Sequence, residues 1–287
     1  MLGILDAITE WIKELLIGAI TSSLSSMFGD VNVKVGTIAA EVGQTPQAWN
    51  INIFNMIRAL SETVILPIAG IIITYVLCAE IIGMVIEKNS MHETDTFIFF
   101  KFLFKAWAAI FIVAHTFDIT MAVFDLAQHV VSGASGVIHG STAIDIDAAI
   151  AAMDLEVYEI PELLLLMIET FLVSFCMKIM SVVITVILYG RMIEIYCACS
   201  VAPIPLATMA NKEWGQMGNN YLRGLLALGF QGFFLMVCVG IYAVLVNDMI
   251  IGTNVHSAIF SVAAYTVLLC FAMMKSGALA KQVFNAH

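Results

Sequence analysis

Four residues in one stretch of an otherwise greasy chain carry the types that do chemistry: His115, Asp118, Asp125 and His129. At ~100° per residue they fall within roughly 80° of one helical face. Carboxylates and imidazoles aligned this way could line a water-filled cavity, relay protons or bind a metal. The competing reading is plainer: a helix that leaves the bilayer near Phe117 turns its polar face to water. Lys178 poses a sharper problem, because it sits deep inside an apolar run. A lone charge at that depth costs at least ~2.5–3.5 kcal/mol on insertion scales, so it is expected to face protein or a pore. Glu169 lies nine residues away on the opposite helical face, which leaves Glu80 as the candidate partner. Arg191 and Glu194 stand at i and i+3 and can pair on one face. Lys101 and Lys105 open another apolar stretch. For all of these, gluing helices together and lining a pore stay equally open.

Catalytic signatures are missing. His92-Glu93 begins like a zinc-protease motif, but Thr96 stands where the second His belongs. Ser132-Gly133-Ala134-Ser135-Gly136 lacks the Lys-Ser/Thr that completes a phosphate loop, and reads as a turn. No G-x-S-x-G elbow occurs. The six cysteines (78, 176, 197, 199, 238, 270) lie in apolar stretches without a C-x-x-C, so they read as small buried hydrophobes and not as a metal or disulfide framework. The expectation is a protein without catalysis, cofactor or bound metal, whose work is powered by other proteins.

The elements that must position these residues follow from composition. Of 287 residues, 61% are hydrophobic and only 12% charged, with a mean hydropathy of +0.97. Soluble domains average ~45–50% apolar and ~25% charged, so lipid must be the solvent. The formal charge of −10 removes the basic footprint of a nucleic-acid-binding surface. A span needs about 20 apolar residues, and five stretches meet or approach this: 63–86, 97–117, 163–190, 224–246 and 257–274. Pro67 interrupts the first. Residues 193–210 end in Ala202-Pro203-Ile204-Pro205, which no regular helix carries through, and read as a half-span or interfacial elbow. The fold class is an all-α polytopic membrane bundle: about five transmembrane helices, an N-terminal amphipathic helix and the Pro-broken half-span.

The first 20 residues hold Asp6, Glu10, Lys13 and Glu14 among apolar residues at three- and four-residue steps. They read as an amphipathic helix in the membrane interface and not as a cleavable signal. Residues 47–60 read as a second amphipathic helix. Basic residues set the orientation. Lys88, Lys101 and Lys105 flank the first connection, Lys212 and Arg223 the third, and Lys275 and Lys281 the end, whereas 132–161 and 247–256 have no Lys or Arg. Five spans place every basic group in the cytoplasm, the N-terminus outside and the C-terminus inside. The expected organisation is an extracytoplasmic segment 1–61, two spans in 62–131, an acidic outer loop 132–161 carrying Asp145, Asp147, Asp154, Glu156 and Glu159, and the remaining spans, elbow and short tail in 162–287.

Several stretches resemble a known family. They are Ala202-Pro203-Ile204-Pro205-Leu206-Ala207, then Asn211-Lys212-Glu213-Trp214, then the glycine-rich span with Gly224, Gly229, Gly232 and Gly240. Arg58-Ala59-Leu60-Ser61-Glu62-Thr63 running into Pro67, and Phe124-Asp125-Leu126-Ala127-Gln128-His129, belong to the same pattern. Together they are similar to the TrbL-like polytopic inner-membrane subunits of conjugative type IV secretion systems, in the compact form of Gram-positive conjugative elements. The resemblance covers nearly the whole chain. It implies a multi-pass subunit of the cytoplasmic membrane in a homo-oligomeric ring, a pentamer as first guess. Its partners would be membrane lipids, ATPases, a coupling protein and scaffold subunits, and its substrate single-stranded DNA attached to a relaxase. The chain stops soon after its last span, so roles tied to the long hydrophilic extension of larger relatives are not expected. A rival from another class is a secondary transporter of a small solute, with Pro67 and Pro203/Pro205 breaking its discontinuous helices.

Overall fold

The computed structural model describes residues 2–87, 96–139, 150, 153–211, 213–250 and 254–286, and among them there is no strand. His92, Glu93, Lys88, Lys212, Asp145 and Asp147 lie outside the described residues. Ten α-helices carry the described chain: α1 (Leu2–Val42), α2 (Pro46–Trp49), α3 (Ile51–Leu60), α4 (Leu66–Glu87), α5 (Thr96–Ala114), α6 (Thr116–His139), α7 (Ile160–Val201), α8 (Pro203–Ala207), α9 (Gly215–Ile250) and α10 (Val255–Val283). Five stretches of helix are long and apolar enough to cross a membrane: Ile51–Ile86, Thr116–Ile138, Ile160–Val201, Gly215–Met249 and Val255–Val283. The chain is thus an all-α, multi-pass membrane protein.

The N-terminal helix extends well beyond the first 20 residues. It is one helix of 41 residues, and its buried stripe runs Leu16, Ile20, Leu24, Met27, Phe28, Val31, Val35, Ile38, Ala39, Val42. Steps of three and four keep these on one side. Trp11 and Leu15, among the apolar residues of the first 20, are exposed. The stripe lies further along the helix and is buried by protein.

The second amphipathic helix and the first span are also one continuous rod. Asn50 opens it, its Oδ1 accepting the backbone N–H groups of Asn52 and Ile53 at 3.0 and 3.1 Å. Ser61–Ile65 then forms a π-helical turn, in which Leu66 N–H donates to Ser61 O. Pro67 follows immediately. Its ring cannot donate and crowds the carbonyl four residues back, and the widened turn relieves that crowding. Pro67 therefore does not break the helix.

The chain keeps its helical path through Phe117. His115 N–H donates to Phe111 O, and Ile119 N–H to His115 O, at 3.1 and 3.0 Å. The α5 ladder thus passes into α6 across a single turn residue. By contrast, Pro203 and Pro205 do end a helix. α7 absorbs residues 193–201, Ala202 turns, α8 and a 3-10 turn (Thr208–Ala210) follow, and Asn211 Oδ1 caps the backbone of Glu213 and Trp214. Residues 193–210 form an elbow and not a sixth crossing.

Contacts divide the chain into two compact units that interleave along the sequence. The first comprises 1–43, 132–188 and 233–276; the second comprises 44–131, 189–232 and 277–287. In the first, the α1 stripe, Leu163, Leu166 and Met177 of α7, Leu235, Met236 and Val246 of α9, and Ala258 and Val262 of α10 are all buried. Tyr242 and Thr266 share a hydroxyl–hydroxyl hydrogen bond of 2.9 Å between α9 and α10.

In the second unit, Phe54, Phe117, Phe124, Met192, Ile195, Tyr196, Cys199, Leu225 and Leu228 form one core. Tyr196 Oη donates to Pro46 O at 2.5 Å and fixes α2 to α7. A second cluster joins Ala69, Ile73, Val113 and Ala207, so the elbow packs on α4 and α5. Small residues permit the closest approaches. A Cβ on Gly229 would stand 2.9 Å from Ala127 Cβ, and one on Gly218 would stand 2.6 Å from Pro205 O.

Candidate functional site

The second unit gathers most of the sequence-nominated polar residues, in three groups. In the first, Lys105 Nζ of α5 donates to Glu80 Oε1 of α4 at 2.5 Å, and Asn211 Nδ2 beyond the elbow donates to Glu80 Oε2 at 3.3 Å. Glu80 thus finds its cation in Lys105 and not in Lys178. Both oxygens of a mostly buried carboxylate are satisfied, and three segments are tied at one point. Burying the ion is tolerable because it is paired and hydrogen-bonded.

The second group is a polar stripe on helices otherwise dressed for lipid. His115, Asp118, Asp125 and His129 are all exposed along one face, as their spacing predicts. The structure adds Arg58 and Glu62. Arg58 Nε donates to Glu62 Oε1 at 2.8 Å and its Nη2 reaches Asp118 Oδ1 at 3.5 Å, while its guanidinium lies 5.7 Å from the Phe117 ring centre. His115 stacks on Phe111 with ring centres 4.3 Å apart, and its Nδ1 lies 3.0 Å from Phe111 O. Earlier on α5, Phe99, Phe100, Leu103, Phe104 and Trp107 are exposed too, as is Leu126 on α6. Arg58 and Glu62 stand in one of the stretches that carry the family resemblance, and their i,i+4 spacing suits an ion pair. No cluster of three metal-ligating side chains occurs among the described residues.

The third group corrects the expected Arg191–Glu194 pair. Arg191 points inward, where Nη2 donates to Gly229 O at 3.5 Å while Nε has no acceptor among the described residues. Glu194 points outward and meets Lys281 at 3.6 Å. These two residues border a cavity of about 500 Å³, whose other walls include Pro205, Tyr221, Leu225 and Leu228. Lys101 is exposed at the start of α5.

The first unit holds two further polar features. Glu169 Oε2 bonds His256 Nδ1, joining the start of α7 to the start of α10, and Tyr158 packs edge-on against the His256 ring. Lys34, within the buried stripe of α1, donates to Met177 O at 3.1 Å. Burial pushes its ammonium below the usual lysine range, and nearby Asp30 and Cys270 oppose that shift. A cation spaced three from Val31 and four from Ile38 was legible as part of the stripe. Lys178 differs from all of these: it is exposed, and it makes no hydrogen bond or ion pair with a described residue.

None of these groups places a nucleophile beside a base. They are polar interruptions in membrane helices: one buried knot, one exposed stripe and one unmatched cation. Comparison with known proteins agrees with that character. The model of the TrbL/VirB6 plasmid conjugal transfer like protein family matches residues 31–203. No curated protein and no solved structure matches significantly. The family match runs from α1 through the elbow proline Pro203 and so takes in the polar stripe and the Glu80–Lys105 knot. With more than half of its length matched, the chain belongs to the TrbL/VirB6 family of conjugal transfer subunits of type IV secretion systems.

Proposed function

We propose that this protein is a channel or platform subunit of a conjugative type IV secretion machine, through or beside which relaxase-linked single-stranded DNA crosses the cytoplasmic membrane. The observation that carries this reading is the exposed stripe of Arg58, Glu62, Asp118, Asp125 and His129 on membrane-length helices. Ionisable groups on such helices turn to water or to protein, not to lipid. In a homo-oligomeric ring, with five copies as first guess, the stripes would converge on a central hydrated passage. Ring symmetry would also multiply the exposed cation Lys101. The stripe mixes both signs, which suits a wall that lets a polyanion slide and does not grip it. The outer acidic residues Asp154, Glu156 and Glu159 would repel DNA and leave that face to protein partners.

In this reading ATPases and a coupling protein supply the work, no cofactor or metal is used, and the chain catalyses nothing itself. The N-terminus lies outside and the C-terminus in the cytoplasm. The test is conjugation in a strain with the gene deleted. We expect transfer to fall below detection and to return with the wild-type gene, but not with the Asp118→Ala/Asp125→Ala double variant present at equal membrane abundance. Normal transfer in the deletion strain would end this reading; full rescue by the double variant would remove the stripe from it.

A further inference from the structure

Along the part of α7 in the first unit, one face carries Leu164, Ile168, Phe171, Phe175, Lys178, Val182 and Val186, all exposed. Steps of three and four residues make this a single straight stripe. Its 22 residue steps extend about 33 Å at ~1.5 Å each, close to the ~30 Å thickness of a bilayer core. Six of its seven members are aliphatic or aromatic; the remaining one is a cation. Phe171 is 74% exposed and Val182 65%, so the neighbouring positions are as bare as a lipid-facing surface. Lys178 stands about 12 Å from the nearer end of the stripe, beyond the ~6 Å that a lysine stem can snorkel.

We infer that this stripe is the docking surface for a transmembrane helix of another protein, an apolar helix carrying a carboxylate at the depth of Lys178. Charge complementarity decides the occupant. Lipid tails would leave the ammonium unpaired. A second copy meeting α7 face to face would set Lys178 against Lys178, a like-charge contact in a low-dielectric setting. Most acidic groups of this chain's membrane helices are committed elsewhere: Glu80 to Lys105, Glu169 to His256, Glu194 to Lys281, and Asp118 and Glu62 to Arg58. Glu162 and Asp248 stand in the first turn of α7 and the last turn of α9, at helix ends and not at mid-span like Lys178. Asp125 is exposed, yet it shares its face with Asp118 and His129, a hydrophilic surface that does not match a dry apolar stripe. What fits is an apolar helix with one acidic residue, making a desolvated ion pair that sets depth and register together.

The inference needs other subunits to be present, as in a transfer apparatus, but holds whether the protein is a channel or a platform. It is tested by placing a photoreactive phenylalanine analogue at Phe175 or at Val182 in the full-length chain, in cells carrying the intact apparatus. The expected result is an adduct with a membrane protein whose span contains Asp or Glu. Its yield should be retained in Lys178→Arg and fall at least tenfold in Lys178→Leu, a variant that inserts more readily than the wild type. Lys178→Glu combined with a Lys in place of the partner's carboxylate should restore it. Adducts only to a second copy of this chain or to lipid would overturn the inference, as would a partner lacking an intramembrane carboxylate or a yield indifferent to Lys178→Leu. Crosslink yield is read separately from DNA transfer, so a failed transfer phenotype and a failed docking surface remain distinguishable.

Discussion

Lys105 donates to Glu80 across the α4–α5 pair at 2.5 Å, while Asn211 holds the second oxygen of the same carboxylate. Two apolar helices and the elbow are thereby locked at a charged point. Removing one partner strands the other: Lys105→Met leaves a mostly buried carboxylate with only an amide. We expect it to lower stability by about 2 kcal/mol, the scale of a charged hydrogen bond. Glu80→Leu combined with Lys105→Met should cost less than either single change. Thermal unfolding of the detergent-solubilised variants as a double-mutant cycle measures this, and strict additivity would mean the pair is not coupled.

Lys34 is buried on a single backbone carbonyl, with Asp30 the nearest charge that favours its ionised form. Its desolvation is only partly repaid, so Lys34→Met should be neutral or stabilising by about 1–3 kcal/mol. The pH dependence has a definite sign. With the folded value below the ordinary 10.5, the unfolded chain binds the extra proton between the two values. Stability therefore rises with pH through that alkaline window. The difference between wild type and Lys34→Met should shrink as pH rises toward 10.5; a difference constant with pH would contradict it.

A side chain at Gly218 would project onto Pro205 O at 2.6 Å and onto the Met209 side chain. The carbonyl belongs to the elbow backbone and cannot swing aside. Gly218→Ala should destabilise the protein by about 1–3 kcal/mol, as overpacking does, and broaden its size-exclusion profile. Gly224→Ala, where a Cβ meets nothing within 4 Å, is the matched control and should behave like wild type.

The orientation proposed above is open to labelling. In a cysteine-free background, Lys281→Cys should react with a membrane-impermeant maleimide only after the cells are opened, and a cysteine replacing Glu156 should react in intact cells. The reverse pattern would invert the topology.

Composition and periodicity determined what can be read from a chain one residue at a time. The lipid solvent, the helical class, the elbow at Pro203/Pro205 and the shared face of His115, Asp118, Asp125 and His129 all depend on local spacing or on summed transfer energies, and the structure agrees with each. Partnership depends on tertiary packing. Glu80 chose Lys105 over Lys178, and Arg191 turned to Gly229 while Glu194 reached Lys281, because packing decides which charges lie within a few ångströms. Pro67 escaped its expected role through a π-turn that no propensity encodes. The length of α1 was not legible beyond its first 20 residues, because the stripe that continues to Val42 is covered by helices distant in sequence. Lys178 marks the boundary between the two kinds of knowledge. The sequence placed a cation deep in an apolar run, and only the fold showed that no described residue of this chain meets it.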